Sequence, residues 1–347
     1  MGEVMLDDLK WIHQRDPADA LGVVGNQWEQ LQHDYGVSFT PAADIHNVVL
    51  AGMGGSAWYS MFVQSWPGLS VPFEIVRDYS LPRYVDEHTL VIASSYSGNT
   101  EETLSALHDA EQRHAQICVV ASGGKLVERA KEVGHVLFQV PGGIQPRMSS
   151  FYMLTALMQL FEPLGLVPEG SVQELRDAGT WLSGQTDSWQ PTVPVKDNPA
   201  KQLAQELMGK SAVVYAGPKL FPAANKFRIC LNENSKNVAW GNQLPEFNHN
   251  EFIGWSSHPV DKPYGVVELR STLEHPRVQR RFEVTNQLLS GLRPAAHVVE
   301  VQGDTVIKQL LWAANMGDFV SLYLAFLNGV DPTPVDLVEK FKVVLDA

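Results

Sequence analysis

The stretch T-L-V-I-A-S-S-Y-S-G-N-T-E-E-T at 89–103 decides the fold. Its first five residues form a short apolar run without polar alternation, which predicts a strand buried on both faces. Its end runs into E-E-T-L-S-A-L-H-D-A-E-Q-R at 101–113, whose apolar spacing predicts a helix. Between them serines and a threonine surround one glycine, at the point where strand hands over to helix. A strand, a polar turn and a helix in that order form the building unit of a parallel sheet covered on both sides.

The unit recurs along the chain. N-V-V-L-A-G (47–52), F-E-I-V-R (73–77), L-V-I-A-S-S (90–95), I-C-V-V-A (117–121) and V-L-F-Q-V (136–140) read as strands, with helical patterns between most of them. A longer apolar helix is expected at 148–161. Three prolines among polar residues at 185–199 mark a linker. Beyond it come a helix at 200–209, a strand at 211–217, a helix from Pro222 to about Cys230, and strands at 265–270 and 297–301. Helices are expected at 276–289 and from 306 towards Leu327, and V-D-L-V-E-K-F-K-V-V-L closes the chain. Residues 4–34 read as helical, anchored by Trp11, Ile12, Leu21 and Trp28. The expected organisation is an N-terminal helical extension (1–36), a first α/β domain (37–184), the linker (185–199) and a second α/β domain (200–347). Both domains are expected to be doubly wound parallel sheets.

Bulk composition narrows the function. A chain of 347 residues with net charge −13 carries no basic cluster, which argues against nucleic-acid and anionic-membrane partners. The two cysteines, Cys118 and Cys230, sit in apolar contexts and read as buried thiols in a reducing compartment. No Cys/His cluster suggests a metal. The first residues lack the basic and apolar regions of a signal peptide, and no stretch approaches the ~18 apolar residues of a membrane span. The expectation is a cytoplasmic protein.

The donor-rich turn suits an anion. Backbone N–H groups at a helix start are unpaired and the helix dipole favours negative charge there. Ser95, Ser97 and Thr100 add hydroxyls, and Gly98 permits a tight turn. The plainer alternative is a helix cap, with Asn99 and Glu102 at capping-box spacing. A cap needs one side chain, and here there are several. No G-x-x-x-x-G-K-[ST] is present, so a sugar monophosphate fits better than a triphosphate.

With A-G-M-G-G-S-A some forty residues upstream, S-Y-S-G-N-T-E-E-T resembles the sugar isomerase (SIS) domain family, whose fold is flavodoxin-like. Two such domains in one chain resemble the bifunctional phosphoglucose/phosphomannose isomerases. Q-P-R-M-S-S (145–150), L-N-E-N-S-K (231–236), L-P-E-F-N-H-N-E (244–251) and D-P-T-P-V-D-L-V-E-K-F-K (331–342) extend the likeness from about residue 40 to the end. The resemblance implies an aldose–ketose isomerase of hexose 6-phosphates, working through a cis-enediolate without metal or other cofactor. It implies Glu233 as the base, with partial burial expected to raise its pKa. His249 would open the sugar ring, reaching the site from the neighbouring subunit of a homodimer. Arg147 would stabilise the enediolate, and a cation opposing the dipole of helix 148–161 hints at that purpose independently. Lys342, rather than Lys340, would contact the sugar, and Ser56, with Gly54 and Gly55 allowing close approach, would contact its hydroxyls. The second domain, whose S-A-V-V-Y-A-G-P lacks the hydroxyl cluster, is expected to have lost the phosphate loop, leaving one site per subunit built across both domains and the partner. Two other readings are a non-catalytic sugar-phosphate regulator, which has no use for Glu233 with His249, and an amino-sugar-phosphate isomerase.

Overall fold

Each apolar run of the first half becomes a strand, and all of them pair in parallel. In the computed structural model, which describes residues 2–345, β1 (Asn47–Ala51), β2 (Phe73–Val76), β3 (Thr89–Ser94), β4 (Gln116–Ala121) and β5 (Val136–Gln139) form one sheet, ordered β2-β1-β3-β4-β5. Val49 pairs with Val91 and Val91 with Ile117. β3 and β4 are buried at every residue, which is why their sequences do not alternate. One core packs Val49, Val91 and Val119 against Ala106, Leu107 and Ala110 of the Glu101–Gln112 helix and Leu126 and Ala130 of the Gly124–Val133 helix. Each such valine or leucine contributes about 1.5–3 kcal/mol on burial. This sheet lies in a unit made of Asn26–Ser183 with Asp304–Leu311.

The order is flavodoxin-like, as the resemblance implied. The chain leaves β1 towards one edge of the sheet and β3 towards the other. The crevice between their carboxyl ends is the topological switch point, where open α/β sheets bind ligands.

The second unit comprises the residues through Gly25, Gly184–Gly303 and the chain from Trp312. Its sheet is also parallel, ordered β7-β6-β8-β9, from β6 (Ser211–Ala216), β7 (Ala239–Gln243), β8 (Tyr264–Arg270) and β9 (His297–Glu300). β7, A-W-G-N-Q, was not anticipated. It pairs only with β6 and leaves Trp240 51% exposed, so it carries no apolar run to read.

The structure adds detail at three other places. The N-terminal segment is helical but broken, into Gly2–Asp7, Leu9–His13, Ala20–Gly25 and a 3-10 turn at Gln27–Gln32. Asp16, just before Pro17, causes one break: its carboxylate accepts the N–H groups of Ala20 (2.7 Å) and Leu21 (2.9 Å), which an unbroken helix would bond to backbone. The proline-rich stretch carries a buried anchor. Trp189 is 1% exposed and packs edge-on against Trp312 at 5.1 Å. Finally, one segment does reach membrane-spanning length. The Val306–Leu327 helix has 22 residues and a mean hydropathy of 1.4 over its most apolar window, but that window is 100% buried inside the protein, so it is a core helix.

One backbone contact holds the donor turn in place. Gly98 has φ +72°, and a Cβ there would lie 1.8 Å from the carbonyl oxygen of Gly123. Gly98→Ala therefore meets both a left-handed backbone and a backbone collision that no rotamer relieves. We expect a loss of about 2–4 kcal/mol, read from urea unfolding midpoints.

Candidate functional site

The loops leaving β1 and β3 meet at the first switch point and are stitched together. Ser56 Oγ accepts the Tyr96 N–H at 2.8 Å, and Ser94 Oγ donates to the Ser56 carbonyl at 2.6 Å. The Tyr59 and Ser94 hydroxyls lie 2.8 Å apart beneath them. Gly55 packs on the chain at 146–147: a Cβ there would stand 3.1 Å from both the Arg147 amide nitrogen and the Pro146 carbonyl carbon. So Gly54, Gly55, Ser56 and Arg147 are brought to one edge of the sheet, with Gly54 turning the chain at φ +47°.

The hydroxyl cluster is graded from floor to solvent. Ser95 is 1% exposed, Thr100 is half-buried and Ser97 is exposed. Ser95 Oγ lies 2.8 Å from Thr100 Oγ1 and 3.5 Å from Ser97 Oγ, and accepts the Gly98 N–H at 3.1 Å. Thr100 is the N-cap of the Glu101–Gln112 helix, yet its side chain makes no capping bond. The hydroxyls therefore face one another in front of a helix start instead of being consumed by it. Neutral donors converging on a helix N-terminus suit a phosphate-sized anion. The capping-box alternative is corrected by Asn99, whose Oδ1 accepts the Lys125 N–H at 3.1 Å and so serves the next helix, Gly124–Val133.

Arg147 is 1% exposed, on a 3-10 turn ahead of the Ser150–Phe161 helix, with Nη1 3.3 Å from Gln145 Oε1. A guanidinium in so dry a position acts on nearby negative charge far more strongly than a surface one.

In the second unit, Glu233, His249 and Lys342 stand on three separate elements. Glu233 is the last residue of the Phe221–Glu233 helix and is half-buried. Lys236, left-handed at φ 51°, donates to the carbonyls of Glu233 (2.8 Å) and Pro332 (3.0 Å), fixing that helix end to the root of the last helix. His249 is exposed at the end of the 3-10 turn Glu246–His249. The residues around it are committed: Asn248 to Thr285 (2.9 Å), Asn250 to Glu246 (2.6 Å), and Glu251 to the Tyr215 hydroxyl and Asn242 (2.8 Å). The turn is braced while its histidine faces outward. Lys342 lies in the Asp336–Leu345 helix, 2.8 Å from Glu339; both it and Lys340 are exposed.

Lys236, Glu251 and Glu274 were not singled out from the sequence. The first two sit inside motifs already quoted, so their motifs were the available signal. Glu274 had none. Its carboxylate fills the second sheet's switch point, where Oε1 accepts the Lys219 N–H at 2.7 Å, and a Cβ on Gly217 would lie 2.4 Å from that oxygen. An internal carboxyl group thus occupies the loop that lacks hydroxyls. Among the described residues no three His, Cys, Asp or Glu side chains gather into a metal site.

Residues 196–345 match the bacterial phospho-glucose isomerase C-terminal SIS domain. The bifunctional phosphoglucose/phosphomannose isomerase of Caldicellulosiruptor bescii is 36% identical over 330 residues, covering 92% of this chain and 96% of that one. Its namesake from Aquifex aeolicus is 34% identical over 319 residues, covering 91% and 93%. A glucose-6-phosphate isomerase like protein from Thermus thermophilus shares the fold, with a TM-score of 0.64 at 16% identity over 98% of this chain and 99% of that one.

Burial pushes the Glu274 carboxyl above the ordinary glutamate range, partly offset by the N–H groups of Lys219 and Leu220. A raised folded-state pKa means its contribution to stability is full at low pH and lost as pH rises through the raised value. Glu274→Gln removes that titration. The wild-type chain should therefore lose stability relative to Glu274→Gln as pH rises above about 4, as measured by urea unfolding across pH.

Proposed function

The chain belongs to the bifunctional phosphoglucose/phosphomannose isomerase family, and from that premise we propose that it interconverts fructose 6-phosphate with glucose 6-phosphate and mannose 6-phosphate. The observation that carries the reading is the Ser95–Ser97–Thr100 cluster in front of a helix at the switch point. The hydroxyls and free N–H groups take the 6-phosphate, and Ser56 takes a sugar hydroxyl.

The chemistry then needs a proton moved between adjacent carbons and a negative charge stabilised in passing. Glu233 abstracts the proton from C2 of the aldose and returns it to C1. Arg147 offsets the charge of the cis-enediolate. His249 and Lys342 assist ring opening, which exchanges a proton with the ring oxygen. Rotation of the enediolate within the site lets the proton return to either face of C2, which admits both aldose epimers. The oxidation of one carbon is balanced by the reduction of its neighbour, so the reaction needs no redox cofactor and no metal. The outward-facing His249 on its braced turn supports delivery of that residue to a neighbouring subunit, and hence a homodimer. The acidic, cysteine-poor composition supports a cytoplasmic setting.

A coupled assay with glucose 6-phosphate and mannose 6-phosphate tests this, with EDTA expected to leave turnover unchanged. Glu233→Gln should lower kcat about 10³-fold while phosphosugar affinity stays within about threefold. Activity surviving in that variant would remove Glu233 as the base. Ser95→Ala with Thr100→Val should raise KM about tenfold and leave kcat nearly intact, because the phosphate is bound equally in ground and transition states.

A further inference from the structure

Lys226, Cys230 and Asn234 follow one another at i, i+4 and i+8 along the Phe221–Glu233 helix and its C-cap, and all are 0% exposed. Lys226 Nζ donates to Asp318 Oδ1 and, at 2.8 Å, to Cys230 Sγ, whose thiol donates to Asp318 Oδ1 at 2.9 Å. Asn234 Nδ2 donates to Ser321 Oγ at 2.8 Å, and Ser321 Oγ donates to the Asp318 carbonyl at 2.8 Å. Asp318 and Ser321 are also 0% exposed and lie one turn apart on the Val306–Leu327 helix. A polar seam therefore joins the two helices. Burial works against the Lys226 charge, but Asp318 and Cys230 outweigh it and hold the ammonium above the usual lysine range.

Stability alone is a weak reason for such a seam. Desolvation cancels most of the gain from a buried ion pair, and apolar residues of similar volume commonly do as well or better. Asp318 Oδ2 adds to the cost, because it is buried with no hydrogen-bond partner among the described residues. What an ion pair supplies is register. An apolar helix face can slide or rotate, whereas a single ammonium has one carboxylate to meet. Glu233 lies seven residues beyond Lys226, close to two full turns along the same side of the helix. A slip at the seam moves its carboxylate by the same amount, and misplacing a reacting group by about 1 Å can cost roughly 10²-fold in rate.

We propose that Lys226 and Asp318, with Cys230, Asn234 and Ser321, are positioning residues that fix the axial and rotational setting of Glu233. The proposal rests on Glu233 being the base. The test replaces the pair by apolar residues of similar size, Lys226→Met with Asp318→Leu, in the full chain. The fold should survive, with a Tm within about 5 °C of wild type. In the coupled assay kcat should fall about 10–100-fold with KM changed less than about threefold. A folded double variant with wild-type kcat, or one that loses only KM, overturns the proposal. Should the pair fail to fold, Ser321→Ala decides. It removes one neutral bond beside Glu233 and should lower kcat about three- to tenfold with Tm lowered by no more than about 5 °C; unchanged kcat there overturns the proposal. Glu233→Gln is assayed alongside. Full activity in that variant brings down the base assignment itself, whereas its collapse beside a fully active seam variant brings down the seam alone.

Discussion

In each sheet every strand runs the same way, so every strand ends on the same edge. That constraint places the chemistry of the first unit. Parallel pairing of β1 with β3 brings together two loops that are 38 residues apart in sequence, counted from Ser56 to Ser94, and hydrogen bonds lock them. The groups left over at that edge are those the ladder cannot use: hydroxyls, and the N–H groups of a helix start. They are dipoles, not charges. Their field is strong at hydrogen-bond distance and weak beyond it, so a chain of net charge −13 can hold an anion there without a basic surface.

The second unit repeats the constraint and answers it differently. Its β6 and β8 also part at a switch point, and the backbone N–H groups there still need a partner. Glu274 provides one from within the chain. A buried carboxylate at this position satisfies the same donors that a phosphate satisfies elsewhere, at the cost of its own desolvation. On the proposed reading, one architecture yields an open anion seat in one unit and a closed one in the other. The deciding difference is which residues the loops carry.

This difference also marks where sequence reading succeeds. β3 and β4 were legible because burial on both faces leaves an unbroken apolar run, and the hydroxyl cluster was legible because Ser95, Ser97 and Thr100 exceed what one helix cap needs. β7 was not, since an edge strand with one neighbour tolerates Gly241 and Asn242. The cap alternative for Asn99 arose because capping boxes are local patterns, but its partner Lys125 is 26 residues away. Glu274 was invisible for the same reason, with its partner 55 residues upstream. The Val306–Leu327 helix was legible in extent, but Lys308, Gln309, Asn315 and Asp318, polar residues that a membrane span would avoid, interrupt its apolar run and hide its membrane-like hydropathy.

The distribution of charge follows the proposed reaction. A hexose 6-phosphate carries the same dianion as substrate, enediolate and product. Binding it more tightly with a lysine would stabilise all three equally, which lowers KM without raising kcat and slows release. Neutral donors are sufficient there. The enediolate charge is different, because it exists only between substrate and product. A cation placed against it stabilises the transition state selectively, and does so most where water is excluded. Arg147, buried to 1% exposure on the same sheet edge as the hydroxyls, is the cation whose setting meets that condition, whereas Lys342 remains in solvent contact. On this argument the site separates two tasks, with dipoles for the charge that stays constant and a desolvated guanidinium for the charge that appears.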